Sequence, residues 1–130
     1  MKILLVDDHI LFREGLASLI DAQAELTVVG FAGSVKDALS QTENLQPELV
    51  LMDFNLPDGD GLHYVSQISD QYSETKVVFL VTNDDEILRL ETIDDHTVGY
   101  LRKNTPVNDL LSYIHNLRGE TSFSHSTIDG

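Results

Sequence analysis

Cysteine is absent from this chain, which excludes a disulfide frame and any thiolate metal site. Basic residues are scarce: 8 lysines and arginines stand against 22 acidic residues. The resulting net charge of −14 opposes binding of nucleic acid or an anionic membrane through this domain. No apolar run approaches the roughly 20 residues that a membrane-spanning helix needs. The N-terminus runs straight into a short apolar stretch, without the charged and long apolar regions of a secretory signal, so the sequence predicts a soluble, cytoplasmic protein. A glycine-rich first turn, the mark of dinucleotide-binding folds, is missing too; Asp7, Asp8, His9, Ile10, Leu11 and Phe12 stand there instead. His9, His63, His96, His115 and His125 are scattered without ligand spacing, which predicts none of them as a metal ligand.

What the chain has is alternation. Its 130 residues fit one domain able to bury a core. The apolar run Lys2 to Val6 stops at Asp7 and Asp8, and Leu49 to Met52 stops at Asp53. Between them, Ile10, Leu11, Phe12, Leu16, Leu19 and Ile20 recur at helical spacing, predicting a helix from about His9 to Ala22. Thr27 to Phe31 reads as a strand, and Ser34 with Asp37 as a capping box for a helix using Val35, Ala38, Leu39 and Leu45 and ending at Pro47. After a turn-rich segment from Asn55 to Gly61, Leu62, Val65 and Ile68 mark a third helix. Lys76 to Thr82 and Val98 to Lys103 read as strands. Thr105 and Pro106 read as N-cap and first residue of a last helix with Val107, Leu110, Leu111, Ile114 and Leu117 inward. Five strand-helix units predict a doubly wound α/β fold, a parallel sheet with helices on both faces. The segment 119–130, rich in Ser, Thr and Gly, reads as a linker or tail after a domain over 1–118.

Ligands of open parallel sheets bind beyond the carboxyl ends of the strands, where Asp7, Asp8 and Asp53 would meet. Crowded carboxylates resist joint ionisation unless a cation neutralises them, and an all-oxygen site suits Mg²⁺ rather than zinc. A carboxylate beside such an ion can take a phosphoryl group if donors hold its equatorial oxygens, and Thr82 and Lys103 end the later strands.

These residues, in this order, resemble the receiver domain of two-component response regulators over residues 1 to 118. The motifs that carry the likeness are Val6-Asp7-Asp8-His9, Met52-Asp53-Phe54-Asn55-Leu56-Pro57 with Asp60-Gly61, the strand ending in Thr82, and Gly99-Tyr100-Leu101-Arg102-Lys103. The resemblance implies a five-stranded flavodoxin-like sheet with Asp53 as phosphoacceptor, charged by a histidine kinase or a small acyl phosphate, with self-catalysed transfer and dephosphorylation. It implies Mg²⁺ held by Asp8, Asp53 and the backbone carbonyl of Asn55, with Asp7 acting directly or through water. Thr82 would hydrogen-bond the phosphoryl group, Lys103 would pair with it, and Tyr100 would be the aromatic switch. Asn55 and Asp84, two residues beyond Asp53 and Thr82, would modulate adduct lifetime. The stretch Asp7 to Leu16 looks most like regulators of the LuxR/NarL type, which implies transcription output through a helix-turn-helix domain not present in this chain, and a homodimer as a candidate assembly.

Each residue also has a plainer role. A lone Asp at a strand end caps or turns the chain, Thr82 could be strand filler or a cap, Lys103 a solvated charge, and Tyr100 an edge-strand aromatic. Asp58-Gly59-Asp60-Gly61 looks like a calcium loop, but Pro57 and the missing closing Glu make it a turn. A haloacid-dehalogenase-like hydrolase needs a second acid two residues after its nucleophile, where His9 and Asn55 stand. A phosphorylation-independent binding module stays open as the alternative. The chain departs from the receiver pattern at Asp94-Asp95-His96-Thr97-Val98, and the spacing from Thr82 to Lys103 is about one residue short. Acids at Asp94 and Asp95 oppose the dipole of a fourth helix, predicting it short or irregular.

Overall fold

The computed structural model describes residues 1–68, 74–93 and 98–118. In chain order the elements are β1 (Lys2–Val6), α1 (Ile10–Asp21), β2 (Thr27–Ala32), α2 (Val35–Leu45), β3 (Leu49–Asp53), β4 (Asn55–Leu56), β5 (Gly59–Asp60), α3 (Gly61–Ile68), β6 (Lys76–Val81), α4 (Asp84–Leu90), β7 (Val98–Arg102) and α5 (Val107–Leu117). Five strands form one parallel sheet in the order β2-β1-β3-β6-β7, and β4 pairs antiparallel with β5 in a small hairpin. The expected α/β architecture is the one observed. The segments 119–130 and 94–97, with His96 and His125, lie outside the described residues.

Successive strand residues point to opposite faces, so each apolar run feeds two cores. Leu4, Val6, Val50, Met52, Val77, Phe79 and Val81 pack under α2, α3 and α4 with Val35, Ala38, Tyr64, Val65, Ile68 and Leu90. Ile3, Leu5, Leu49, Leu51, Val78 and Leu80 pack on the other face with Leu16, Ala17 and Ile20 of α1 and Leu110, Ile114 and Leu117 of α5. Each such side chain contributes about 1.5–3 kcal/mol on burial. β3 and β6 are buried along their whole length, which is why they read as unbroken apolar runs.

The helix ends explain where elements stop. Ser34 Oγ accepts the Asp37 N–H at 3.0 Å, and the Asp58 carboxylate accepts those of Val35 at 2.7 Å and Lys36 at 3.0 Å. Asp58 is therefore a cap for α2 as well as a turn former. At the far end Gln46 adopts a left-handed conformation (φ 47°) and hands the chain to a buried Pro47. Gly61 opens α3 against Phe79; a Cβ there would lie 2.4 Å from Phe79 Cε1.

Two readings need correction, and one buried residue was not foreseen. The N-cap of α5 is Pro106, while Thr105 Oγ1 donates to the Arg102 carbonyl at 2.6 Å and closes the preceding turn. In α1 the buried stripe is Leu16, Ala17 and Ile20, leaving Ile10, Leu11 and Leu19 exposed, because only one face of the helix meets the sheet. Tyr64 is fully buried in α3, where its hydroxyl lies 2.7 Å from Thr42 Oγ1 of α2. The fourth helix is short as expected, with seven residues. Among the described residues no helix is long and apolar enough to cross a membrane.

Candidate functional site

β1 and β3 are neighbours with Val6 opposite Met52, so the next residue of each chain segment, Asp7 and Asp53, emerges at the same carboxyl edge. Main-chain bonds fix both ends: Asp7 N–H donates to Ala32 at 3.0 Å and Phe54 N–H to Leu80 at 3.1 Å. Lys103 leaves β7 at the same edge, its N–H donating to Val81 at 2.7 Å. Its side chain crosses in front of β6 to place Nζ 2.9 Å from Asp7 Oδ2 and 3.2 Å from Asp53 Oδ2, over the Phe12 ring at 4.7 Å. Asp53 lies two strand spacings of roughly 4.8 Å each from β7, a reach that suits a long, flexible cation.

Asp7 and Asp53 are buried, at 3% and 6% exposure, whereas Asp8 and His9 face solvent. Burial pushes the Asp53 carboxyl above its ordinary value; the attraction and hydrogen bond of Lys103 oppose that rise and the charge of Asp7 adds to it. For Lys103, burial favours the neutral amine, but the hydrogen bond to Asp7 and the charge of Asp53 outweigh it and raise the ammonium's pKa. Asp7 Oδ2 is a buried oxygen whose one close partner among the described residues is the Lys103 ammonium. That oxygen belongs to a group of Asp7, Asp8, Asp53 and His9 whose ligand atoms lie within 4.8 Å of one another, and three carboxylates facing one ammonium leave negative charge that fits a hard divalent cation. His9 lies beside these acids: its Nδ1 is 3.0 Å from Asp7 Oδ1 and 3.2 Å from Lys103 Nζ. Spacing along the chain did not reveal it because the partners come from three strands.

The rim is built by the loop after β3 and by α4. Thr82 follows β6 and is exposed, and its N–H donates to Glu86 Oε1 at 2.8 Å while its hydroxyl lies 3.3 Å from the same oxygen. The Asn55 side-chain amide donates to Glu86 Oε2. Asp84, expected near the site, is exposed and bonds Arg102 at 2.7 Å. The acid that reaches Thr82 is Glu86, which the sequence reading missed. Its signal was there: Asn83-x-x-Glu86 is a capping-box pattern, and Asn83 Oδ1 does accept the Glu86 N–H at 3.0 Å. Arg89 of α4 pairs with Asp60 and lies 5.2 Å over the Phe54 ring, a second tie between α4 and the loop after Asp53. The Asp60 carboxyl titrates below its ordinary value: burial works against this, but the hydrogen bond from Arg89 and those of the His63 and Leu62 N–H groups prevail. Tyr100 on β7 is half-buried against the core under α4, its hydroxyl 3.5 Å from Glu91 Oε2.

A five-stranded parallel sheet with acids at the ends of two adjacent strands, and a lysine reaching them from the edge strand, defines a class of α/β domains with one acidic site at the sheet's carboxyl edge. Residues 3–115 match the family described as the response regulator receiver domain, and the chain belongs to that family. It is 36% identical over 104 residues to the transcriptional regulatory protein YdfI of Bacillus subtilis, covering 80% of this chain and 48% of that protein. It is 34% identical over 123 residues to the oxygen regulatory protein NreC of Staphylococcus aureus, covering 93% and 57%. The chain thus spans about half the length of these curated relatives. In fold it is similar to the signal receiver domain of the response regulator NarL from Mycobacterium tuberculosis, with a TM-score of 0.79 at 21% identity, covering 92% of this chain and 97% of that one.

Proposed function

We propose that this domain accepts a phosphoryl group on Asp53 and converts the event into a surface change read by another domain or subunit. The observation that carries this reading is Lys103, whose ammonium bridges Asp7 and Asp53 at 2.9 and 3.2 Å in a receiver-family sheet. An Asp53 oxygen attacks phosphorus of a histidine kinase phosphoimidazole or a small acyl phosphate. The new P–O bond forms as the bond to the donor nitrogen or acyl oxygen breaks, and the donor leaves with that electron pair. Asp53 must be ionised to attack, and Lys103 favours that state against burial. Mg²⁺, held by Asp7, Asp8 and Asp53 with the Asn55 backbone carbonyl, would screen the charge that gathers there. Lys103 then pairs with the phosphoryl oxygens, Thr82 donates its hydroxyl to them, and Tyr100 reports the change to the face of α4 and β7. Asn55 and Asp84 tune how long the adduct lasts.

On this reading residues 1–118 are the receiver and 119–130 a connecting segment in a cytoplasmic regulator. A histidine kinase is the donor and a second copy of the chain the assembly partner. DNA is touched by a helix-turn-helix domain of the LuxR type rather than by this acidic surface, in keeping with the transcriptional role in the name of YdfI. The protein is a phosphoacceptor that catalyses its own loading and unloading, with no separate product turnover. Incubation with Mg²⁺ and acetyl phosphate, followed by intact mass, should show one phosphoryl adduct that chelator prevents. An unchanged mass would favour a phosphorylation-independent binding module.

A further inference from the structure

Glu86 is a carboxylate at 3% exposure with no ion pair among the described residues. The cation nearest along its own helix, Arg89, is committed to Asp60. Burying a charge without a cation is costly unless several donors hold it, and three do: the Thr82 N–H, the Thr82 hydroxyl and the Asn55 amide. A capping acid has a simpler task, which is to return to the N–H of its own N-cap, Asn83. Glu86 instead bonds the residue before it and reaches across to the loop that follows Asp53. It joins the two rim residues that flank the acceptor, one beyond β6 and the other two beyond Asp53.

We propose that Glu86 is a built-in competitor of the phosphoryl group: its carboxylate holds the donors of Thr82 in the unloaded protein, and loading of Asp53 must take the hydroxyl from it. The inference rests on the assignment of Thr82 and Asp53 to phosphoryl binding. One hydroxyl hydrogen cannot serve the Glu86 carboxylate and a phosphoryl oxygen together. Loss of that hydrogen bond leaves the buried Glu86 carboxylate with fewer donors, a costly state that favours its rearrangement and with it that of Asn55 and the first turn of α4. The same carboxylate therefore restrains the empty site and carries its filling to α4. Glu86 is a positioning residue in this scheme, acting through Thr82 and Asn55.

The test is Glu86→Gln, which keeps size and removes the charge, with Glu86→Asp as a second variant that keeps the charge but shortens the reach by one methylene. Loading by acetyl phosphate with Mg²⁺ is followed by intact mass, and the Thr82 amide resonance is followed by NMR before and after loading. Glu86→Gln should load roughly three- to tenfold faster than the parent, about the difference between a hydrogen bond to a charged acceptor and one to the neutral acceptor that Gln still offers. Its unloaded Thr82 amide should already be displaced toward the loaded position. Glu86→Asp should also load faster while keeping an acid in the first turn of α4, which separates release of Thr82 from loss of a helix cap. Loading of both variants at the parental rate, with the Thr82 amide of the parent unmoved on loading, would overturn the competitor and leave the phosphoacceptor reading standing. A parent that takes no phosphoryl group at all would overturn both.

Discussion

Asp53 sits beside a second buried acid and one shared ammonium, and its carboxyl is pushed upward in pKa chiefly by burial. A folded-state pKa above the ordinary 3.8 means that ionised Asp53 lowers stability, and the loss develops as pH rises from 3.8 through the raised value. In chelator at neutral pH, Asp53→Asn should therefore melt higher than the parent, since the amide keeps the shape without the repulsion from Asp7. Mg²⁺ should erase that advantage; a variant that melts lower in chelator would show that the Lys103 contact outweighs burial and repulsion. For the cation, Asp8→Ala should weaken Mg²⁺ binding roughly tenfold or more, a loss that even outer partners of metal ligands can produce. Asp58→Ala, at the cap of α2, should leave it unchanged in the same titration. Asp7, Asp8 and Asp53 were readable in the sequence because an acid ending a buried apolar run is a short-range pattern. His9 and Glu86 were harder to read as site residues: their local contacts, His9 with Asp7 and Glu86 with Thr82, look like ordinary turn and cap bonds, and only the long-range contacts with Lys103 and Asn55 tie them to the site.

At the scale of elements, the hairpin after β3 organises three helices. Asp58 caps α2, Asp60 opens α3 by accepting the Leu62 and His63 N–H groups at 3.0 and 3.2 Å, and Arg89 of α4 closes on Asp60. The N–H groups of Lys36 and Val35 hold the Asp58 carboxyl below its ordinary pKa of 3.8. Its contribution is present above 3.8 and fades as pH falls through the lowered value. Urea unfolding should thus show Asp58→Ala less stable than the parent at pH 7, with the gap narrowing toward pH 3; a constant gap would point to packing rather than charge. Between α2 and α3, Tyr64→Phe removes the buried contact with Thr42 and should cost about 1 kcal/mol in the same assay. Helix periodicity announced α1, α2, α3 and α5, since each lays a continuous apolar stripe on the sheet. It did not announce how the turn from Asn55 to Gly61 would be used, because Asp58 caps α2 and Asp60 meets Arg89 of α4 across 22 residues or more of chain.

Across the whole molecule, the sheet is pinned by buried β3 and β6, and the α4 side is its lightest part. α4 has seven residues and buries one apolar side chain, Leu90, whereas α5 buries Leu110, Ile114 and Leu117. Amides over 84–90 should exchange faster than those of α1 or α5, because local stability follows buried apolar contact. Equal protection would mean that the polar ties through Glu86, Arg89 and Asp84 replace that contact. The close approach of Gly61 to Phe79 leaves no room for a Cβ, so Gly61→Ala should destabilise by about 1–3 kcal/mol. The alternating apolar runs made the sheet and its two faces legible, and the acids and β-branched residues after Leu90 foretold a short α4, but its polar ties follow from the loop it must meet. The most direct measurement of the central claim is to load the protein with acetyl phosphate and Mg²⁺, reduce the acyl phosphate with borohydride, and locate the product alcohol by peptide mass mapping. Conversion is expected at Asp53 alone and lost without Mg²⁺; conversion at Asp7, Asp8 or Glu86 with Asp53 intact would contradict the assignment of Asp53 as phosphoacceptor.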